Sequence, residues 1–229
     1  MRAMKRDFGQ CFSIVCMAIA FAIAYAPVTQ AQVTNLTNGG TISLTNLGTG
    51  NFSILVGDKL FSDFGIEGYN ASNIIVKGII ENGDDYGIQF QGGFFSMNGS
   101  MDVALSYAVN VTNSNNLISG ANLSFNGFEF GSNGVAEVTE AVYTNVSFLY
   151  GDMSVYASPS SNLLATTMAI NPPQPSLNID KDVFTYAIDL SFASISTINQ
   201  SFVQVPEPST IALATAGLTG LLLLRRRRH

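Results

Sequence analysis

A strict alternation of apolar and polar side chains limits most what this chain can fold into, because a two-residue repeat is the signature of a β-strand. Its clearest instance runs from residue 101 to residue 112, with the apolar positions Met101, Val103, Leu105, Tyr107, Val109 and Val111. Residues 184 to 192 alternate equally well, with Phe184, Tyr186, Ile188, Leu190 and Phe192 on the apolar side. The pattern predicts two strands, each with its apolar face buried.

Turn signals separate the alternating segments at short intervals. Asn-Gly pairs begin at positions 38, 82, 98, 126 and 133, and this dipeptide favours the two-residue turns of β-hairpins. Asn126-Gly127 is the clearest, because aromatic residues lead into it and out of it, and Gly92-Gly93 is a second candidate. Many short strands, frequent turns and no convincing helical stretch predict one all-β domain over residues 32–203. We expect an antiparallel β-sandwich, jelly-roll-like, with a barrel as the alternative.

Cysteine, histidine and arginine are missing from the body of the chain, residues 32–206. This excludes a cysteine nucleophile, a Ser-His-Asp triad and a zinc site of the usual kind from that part. Its basic residues are Lys59, Lys77 and Lys181, which stand against fourteen acidic residues and leave a net charge of −11. So acidic a body argues against nucleic-acid binding by charge neutralisation, and we predict no nucleic-acid partner.

The first 31 residues have the three parts of a secretory signal peptide. Basic residues precede an apolar run from Phe12 to Ala26, and small residues follow that run. Cleavage between Ala31 and Gln32 would place Thr29 and Ala31 at the −3 and −1 positions. We therefore expect signal peptidase to remove residues 1–31, and the alternative is an uncleaved anchor helix.

The C-terminal segment combines three features in a fixed order. It begins with the motif Val205, Pro206, Glu207, Pro208, Ser209 and Thr210. Fourteen uncharged, mostly apolar residues follow, 211–224, and a basic cluster ends the segment: Arg225, Arg226, Arg227 and Arg228. A helix of this length spans about 21 Å, which is short for a bilayer core unless the flanking side chains extend it. The positive-inside rule predicts that the arginines stay in the cytoplasm.

This three-part arrangement resembles the PEP-CTERM sorting signal of bacterial exosortase substrates, over residues 204–229. The resemblance implies transient anchoring in the inner membrane and processing near Pro206-Glu207-Pro208 by an exosortase-like enzyme. Delivery to the cell surface or the extracellular space would follow. The same tail occurs on certain ice-binding proteins, so it defines a destination rather than a biochemical activity. An ordinary tail anchor is the alternative.

Two acidic clusters are candidates for binding calcium, which prefers six to eight oxygen ligands. They are Asp84-Asp85, after an Asn-Gly pair, and Asp180-Lys181-Asp182. Neither matches the twelve-residue spacing of an EF-hand loop. The simpler interpretation of both is a solvated turn, since Asp and Asn are common turn residues. We therefore predict no metal ligands and no cofactor.

Carboxylate pairs and aromatic residues give equally weak signals of catalysis or sugar binding. Glu137 and Glu140 are three residues apart, so a strand would place them on opposite faces, whereas a glycosidase needs two facing carboxylates. The chain has no Trp, and most of its Phe residues fall on the apolar phase of a strand. Phe94 and Phe95 are adjacent, so one of them must face outward in a regular strand.

These observations predict an exported, non-enzymatic component of the cell surface, the exopolysaccharide matrix or a biofilm, with a structural or adhesive role. The expected partners are signal peptidase, an exosortase-like enzyme, the inner membrane for a limited time, and exopolysaccharide as a candidate ligand. The main alternative is a carbohydrate-binding module, either with or without assistance from calcium. A secreted hydrolase is less favoured, and so is an ice-binding protein, because Thr41, Thr45 and Thr49 are spaced by four and build no flat array.

Overall fold

Strands form nearly all of the computed structural model, which describes residues 32–37, 39–47, 52–144 and 148–206. They are β1 (Gln32–Asn35), β2 (Thr41–Ser43), β3 (Phe52–Val56), β4 (Lys59–Glu67), β5 (Ile75–Glu81), β6 (Asp85–Ser96), β7 (Gly99–Val111), β8 (Asn116–Phe130), β9 (Gly134–Thr144), β10 (Phe148–Ser158), β11 (Ser161–Leu163), β12 (Ala165–Gln174), β13 (Ser176–Ala187) and β14 (Phe192–Pro206). A short helix, α1 (Leu44–Leu47), and a 3₁₀ turn (Ala71–Asn73) are the helical elements of the described residues.

The strands make two sheets, which confirms the prediction of an all-β, sandwich-like fold. The eight-stranded sheet has the order β1-β3-β4-β7-β13-β9-β10-β11, and the six-stranded sheet has the order β12-β8-β14-β6-β5-β2. Pairing is antiparallel throughout the described strands except between β1 and β3, which run parallel. In the six-stranded sheet, β14 lies between β8 and β6, so the last strand of the chain is internal to its sheet.

The hydrophobic core lies between the sheets, and β7 contributes to it as its alternation predicts. Its buried side chains are Val103, Leu105, Tyr107 and Val109. The Tyr107 ring packs 6.1 Å from Phe61 of β4 and 5.7 Å from Phe90 of β6, measured between ring centroids. Phe61 in turn lies 6.0 Å from Phe202 of β14. These contacts join both sheets, and each fully buried ring contributes roughly 1.5–3 kcal/mol to stability.

For the second alternating segment, the sequence prediction was wrong in both extent and phase. The strand ends before residues 188–191, which form a turn. The buried positions of β13 are Leu177, Ile179, Lys181, Val183, Thr185 and Ala187. Val183 pairs with the buried residues Val103 of β7 and Val138 of β9, so neighbours on both sides fix the phase of the strand. Phe184 consequently faces the outer side of the sheet.

The two favoured hairpin positions are also wrong, because both lie within strands. Asn126-Gly127 belongs to β8 and Gly92-Gly93 belongs to β6. A Cβ atom on Gly127 would lie 2.2 Å from the Phe125 ring, so this glycine makes room for an aromatic side chain. Asn82-Gly83 does form a turn, between β5 and β6, and both residues have positive φ angles of 49° and 96°. Asn-Gly thus permits a tight turn without requiring one.

Candidate functional site

The solvent-facing side of the eight-stranded sheet has a shallow groove across its central strands, which we call the sheet groove. Its floor consists of small residues: Gly65 of β4, Ala104 and Ser106 of β7, and Ala141 of β9. Three adjoining depressions of about 430, 520 and 370 Å³ make up the groove, and Asp180 of β13 borders all three. Asp180 pairs with Ser106 on one side and Ala141 on the other, so small neighbours leave space on both sides of it.

Carboxylates surround the sheet groove. They are Asp63, Glu67, Asp152, Asp180 and Asp182. Partial burial raises the pKa of Asp182 to about 6. A hydrogen bond with Asp102 and the negative charges of Asp102 and Glu137 add to this rise. At neutral pH the groove therefore carries a negative potential, which suits a neutral ligand that donates hydrogen bonds and opposes an anion.

The aromatic side chain of Tyr143 borders the groove, on the solvent-facing side of β9. Tyr143 alternates with the buried Val142 in β9 and is half-buried, and it lines the same depression as Asp63 and Asn178. An aromatic face beside carboxylate and amide oxygens offers both stacking and hydrogen bonding to a small polyhydroxylated molecule.

The two acidic clusters occupy different kinds of structure. Asp84 is exposed in a turn, and Asp85 is buried and accepts a 3.0 Å hydrogen bond from the Asn82 amide nitrogen, as expected of an ordinary turn. Asp180 and Asp182 lie in the middle of β13, so the interpretation of that cluster as a turn is wrong. Within the described ranges, no group of three or more Asp, Glu, His or Cys residues is arranged to hold a metal ion.

The Glu137–Glu140 pair and the spaced threonines do not form the arrangements that a glycosidase or an ice-binding face would need. Glu137 and Glu140 project to opposite sides of β9, as predicted, because Glu140 is buried and Glu137 lies on the outer side. Thr41 belongs to β2 and Thr45 to α1, so the two do not share a strand face, and Thr49 lies outside the described residues.

Sequence reasoning missed a polar cluster that lies inside the core. Lys181 of β13 forms an ion pair with Glu140 of β9, and its Nζ donates a 2.6 Å hydrogen bond to Oε1 of Gln200 in β14. The side chains of Lys181 and Glu140 are fully buried, and Gln200 is buried as well. The sequence does contain a sign of this cluster, because each of its residues occupies a position of its strand where apolar side chains alternate. Lys181, for example, lies between Ile179 and Val183.

A second buried lysine lies where the sandwich meets its C-terminal segment. Lys59 of β4 forms an ion pair with the neighbouring Asp58, and its Nζ donates a 2.5 Å hydrogen bond to Oε1 of Gln204. Asn116 of β8 donates a 2.9 Å hydrogen bond to the other carboxylate oxygen of Asp58. β14 then ends at Pro206, which pairs with Asn116. The fold therefore holds the chain in a fixed position up to Pro206.

The family model of the PEP-CTERM protein-sorting motif matches residues 204–228. The chain carries this sorting motif. The match confirms the predicted resemblance, and it begins at Gln204, two residues before the end of β14. The motif indicates export and sorting through the membrane by an exosortase, which is a membrane enzyme.

Several predictions on the sorting motif and the signal peptide fall on residues outside the described ranges. They concern the signal peptide up to Ala31, the motif residues Glu207 to Thr210, the apolar run 211–224 and the cluster Arg225 to Arg228. Gln32 is described and begins β1. Of the helices in the described part of the chain, none is long and apolar enough to cross a membrane.

Comparison with solved structures finds only distant similarity. TmCBM61 in complex with β-1,4-galactotriose is 16% identical, with 64% of this chain and 90% of that one covered and a TM-score of 0.29. A family 11 carbohydrate-binding module from Clostridium thermocellum, in complex with a β-1,3-1,4-mixed-linked tetrasaccharide, is 10% identical, with coverages of 66% and 89% and a TM-score of 0.25.

A glycoside hydrolase family 43 arabinoxylan arabinofuranohydrolase from Bacillus subtilis is 14% identical, with coverages of 80% of this chain and 30% of that one and a TM-score of 0.27. Similarities this low establish neither a common fold nor a shared ligand. No curated protein matches the chain in sequence.

Proposed function

We propose that this protein is exported, processed by an exosortase-type enzyme and displayed at the cell surface or in the extracellular matrix, with a structural or adhesive role. The observation that carries the proposal is the sorting motif at residues 204–228, directly attached to a folded β-sandwich. We further propose that the sandwich is jelly-roll-like, since the chain passes to the other sheet at each connection from β6 to β9 and from β12 to β14. The role is non-enzymatic.

The end of β14 supports processing without loss of the fold. Every strand of the described sandwich is complete at Pro206, so removal of the residues that follow leaves both sheets and the core intact. The body that remains carries a net charge of −11. A strongly charged surface favours solubility and resists self-association in a hydrated extracellular setting.

The test compares the protein in a host that has an exosortase-type enzyme with the same host lacking that enzyme. We expect an outer-surface or extracellular form that lacks the C-terminal arginines in the first host, and a longer, membrane-retained form in the second. A variant with Pro206→Ala, Glu207→Ala and Pro208→Ala should remain in the longer, membrane-retained form even in the host that has the enzyme. Pro159→Ala, in the exposed turn after β10, is the control.

Intact mass and cell fractionation are the measurements. The proposal would fail if the chain kept its full C-terminus in the inner membrane of both hosts, because the tail would then act as a plain anchor. It would fail equally if the motif variant and the control were sorted alike.

A second candidate function is carbohydrate binding in the sheet groove, with exopolysaccharide as the ligand. The observation that favours it is the floor of small residues between carboxylates and Tyr143. Hydroxyl groups of a neutral sugar can donate hydrogen bonds to those carboxylates, and Tyr143 can pack against a sugar ring. Calcium assistance gains no support from the described residues.

The test of this candidate is an array of neutral oligosaccharides, probed with the exported protein in calcium and in a chelator. Ala141→Trp fills the groove floor, and Ser124→Trp on the outward face of the six-stranded sheet is the matched control. We expect saturable binding that Ala141→Trp abolishes, that Ser124→Trp preserves and that the chelator does not change. Binding that survives Ala141→Trp, or no binding at all, would exclude the groove as the site.

A further inference from the structure

Three side chains capable of covalent chemistry with one another meet in the core. Lys181 of β13, Glu140 of β9 and Gln200 of β14 come from three strands and two sheets. All three are buried. An amine, a carboxyl group and a primary amide in contact with one another are the components of an amide-exchange reaction.

The contacts place the amine beside the amide group that it would attack. Lys181 Nζ lies 2.6 Å from Oε1 of Gln200, the oxygen of that side-chain amide. The same nitrogen contacts Oε2 of Glu140. Reacting groups held together in this way have effective concentrations far above those reached in solution.

Several polar atoms of this cluster remain without a well-formed hydrogen bond among the described residues. They are Oε1 of Glu140, Nε2 of Gln200 and the hydroxyl group of the adjacent Tyr107. Buried polar atoms are normally paired, so unpaired ones call for an explanation, and a catalytic role is one of those that apply. Here the unpaired atoms belong to the carboxyl group and to the amide nitrogen that would leave.

The surroundings favour the neutral forms of the reacting groups. Burial lowers the pKa of Lys181 and raises the pKa of Glu140, and the attraction between the two offsets part of each change. Burial also raises the pKa of Tyr107, and the Glu140 charge adds to that rise. Transfer of a proton from Lys181 to Glu140 gives an uncharged amine, which is the nucleophilic form, and a carboxylic acid.

We propose that Lys181 and Gln200 become joined by an intramolecular amide bond, with Glu140 as the proton carrier. The Lys181 nitrogen attacks Cδ of Gln200, and the Glu140 carboxylic acid protonates the amide oxygen Oε1 as the N–C bond forms. The Glu140 carboxylate then takes a proton from the attacking nitrogen and passes it to Nε2. The Cδ–Nε2 bond breaks, that nitrogen leaves as ammonia, and the proton on Oε1 returns to the Glu140 carboxylate as the new amide carbonyl forms. One amine and one primary amide thus become one secondary amide and ammonia, with no oxidant or reductant.

The bond would connect the two sheets covalently. Lys181 belongs to the eight-stranded sheet and Gln200 to the six-stranded sheet, near the end of the strand that leads into the sorting motif. Exclusion of water from the core would protect the bond from hydrolysis. Such a cross-link suits a domain that must stay folded outside the cell.

A second group of the same residue types provides an internal comparison. Lys59, Asp58 and Gln204 also combine an amine, a carboxylate and an amide. The Asp58 side chain is 15% exposed and accepts a hydrogen bond from Asn116, so its carboxylate contacts water and a second partner besides the lysine. We therefore expect this group to remain an ion pair, and the protein to lose one ammonia and not two.

The primary measurement is a peptide map of the exported protein after proteolysis, read by mass spectrometry. We expect a branched peptide that contains both Lys181 and Gln200, with its mass reduced by one ammonia. Recovery of the two segments only as separate, linear peptides would overturn the proposal, whatever the fold of any variant.

Intact mass under denaturing conditions provides the second measurement, with variants as references. An N-terminal Gln32 can also lose ammonia by cyclising, so each protein is compared with K181R rather than with a calculated mass alone. K77R is a lysine control in β5. After correction for the substitutions, wild type and K77R should each be lighter than K181R by the mass of one ammonia. E140Q keeps Lys181 and Gln200 but lacks the proton carrier, so its ammonia loss should equal that of K181R. Equal ammonia loss in wild type, K181R and E140Q would refute the cross-link.

Discussion

Lys59 and Gln204 join the eight-stranded sheet to the residue at which the sorting motif begins. The Lys59 side chain is completely buried, and its Nζ lies 2.5 Å from Oε1 of Gln204. The Tyr86 ring lies beneath the same nitrogen, with its centroid 5.8 Å away. A buried cation of this kind needs its partners, because an ammonium group without a counter-charge is costly in the core.

Asp58→Asn should therefore destabilise the sandwich, since it removes the counter-charge of a fully buried lysine. Removal of one partner from a buried ion pair costs about 3–5 kcal/mol, and the partial exposure of Asp58 leads us to expect the lower end of that range. Urea unfolding of the exported protein measures the change. Lys77→Met, at the half-buried lysine of β5, is the control and should change stability by less than about 0.5 kcal/mol. An equal effect of the two substitutions would show that Lys59 does not depend on Asp58.

The carboxyl group of Asp182 should make stability depend on pH. Its pKa is raised to about 6 in the folded protein, against about 3.9 in an unfolded chain. The folded state therefore binds more protons at Asp182 between these values, so the contribution of this group to stability is fully present below about pH 4 and is lost as the pH rises through about 6. Asp182→Asn should flatten this part of the profile and raise the melting temperature at pH 7.

Melting temperature measured from pH 4 to pH 7 checks this prediction. Asp84→Asn is the matched control, because Asp84 is exposed in the turn after β5. The control should keep the wild-type profile. A wild-type profile in Asp182→Asn would mean that Asp102 and Glu137 do not act on Asp182 as the structure indicates.

The contrast between β7 and β13 shows how far the sequence predicts the fold. In β7 the residues with the strongest alternation are also those that the sheet buries, so the phase could be predicted. In β13 the bulky residues near its end suggested the opposite phase, but its pairing with β7 and β9 over the whole strand decides which face is buried. Pairing between distant strands is a tertiary property that no local pattern contains.

The candidate sites divide in the same way. The sorting motif is a linear pattern of residues, so it could be identified without a structure. The sheet groove and the Lys181–Gln200 contact depend on register between strands that are far apart in the chain. Composition indicated how rare lysine is in the body, but it did not show that two of the three lysines are buried.

Two Asn-Gly pairs allow a direct test of strand against turn. Asn82 has a φ angle of 49° in the turn before β6, and its amide also donates to Asp85, whereas Asn126 is exposed within β8. Asn82→Ala should cost about 1–2 kcal/mol, because alanine tolerates a positive φ angle poorly. Asn126→Ala should change stability by less than about 0.5 kcal/mol. Urea unfolding measures both, and a large loss in Asn126→Ala would favour a hairpin at that site.

Leu190 occupies a position that suits glycine. It is 95% exposed, and it follows Asp189 in a turn where both residues have positive φ angles, 53° and 63°. The Ser191 nitrogen donates a 3.0 Å hydrogen bond to the Ile188 oxygen, which closes the turn. Leu190→Gly should stabilise the protein by about 0.5–1 kcal/mol, since glycine adopts positive φ angles without strain. Leu190→Ala removes the exposed side chain but keeps the strained Cβ, so it should give no such gain in urea unfolding. If both variants gained the same stability, the gain would come from removal of the exposed leucine side chain and not from relief of backbone strain.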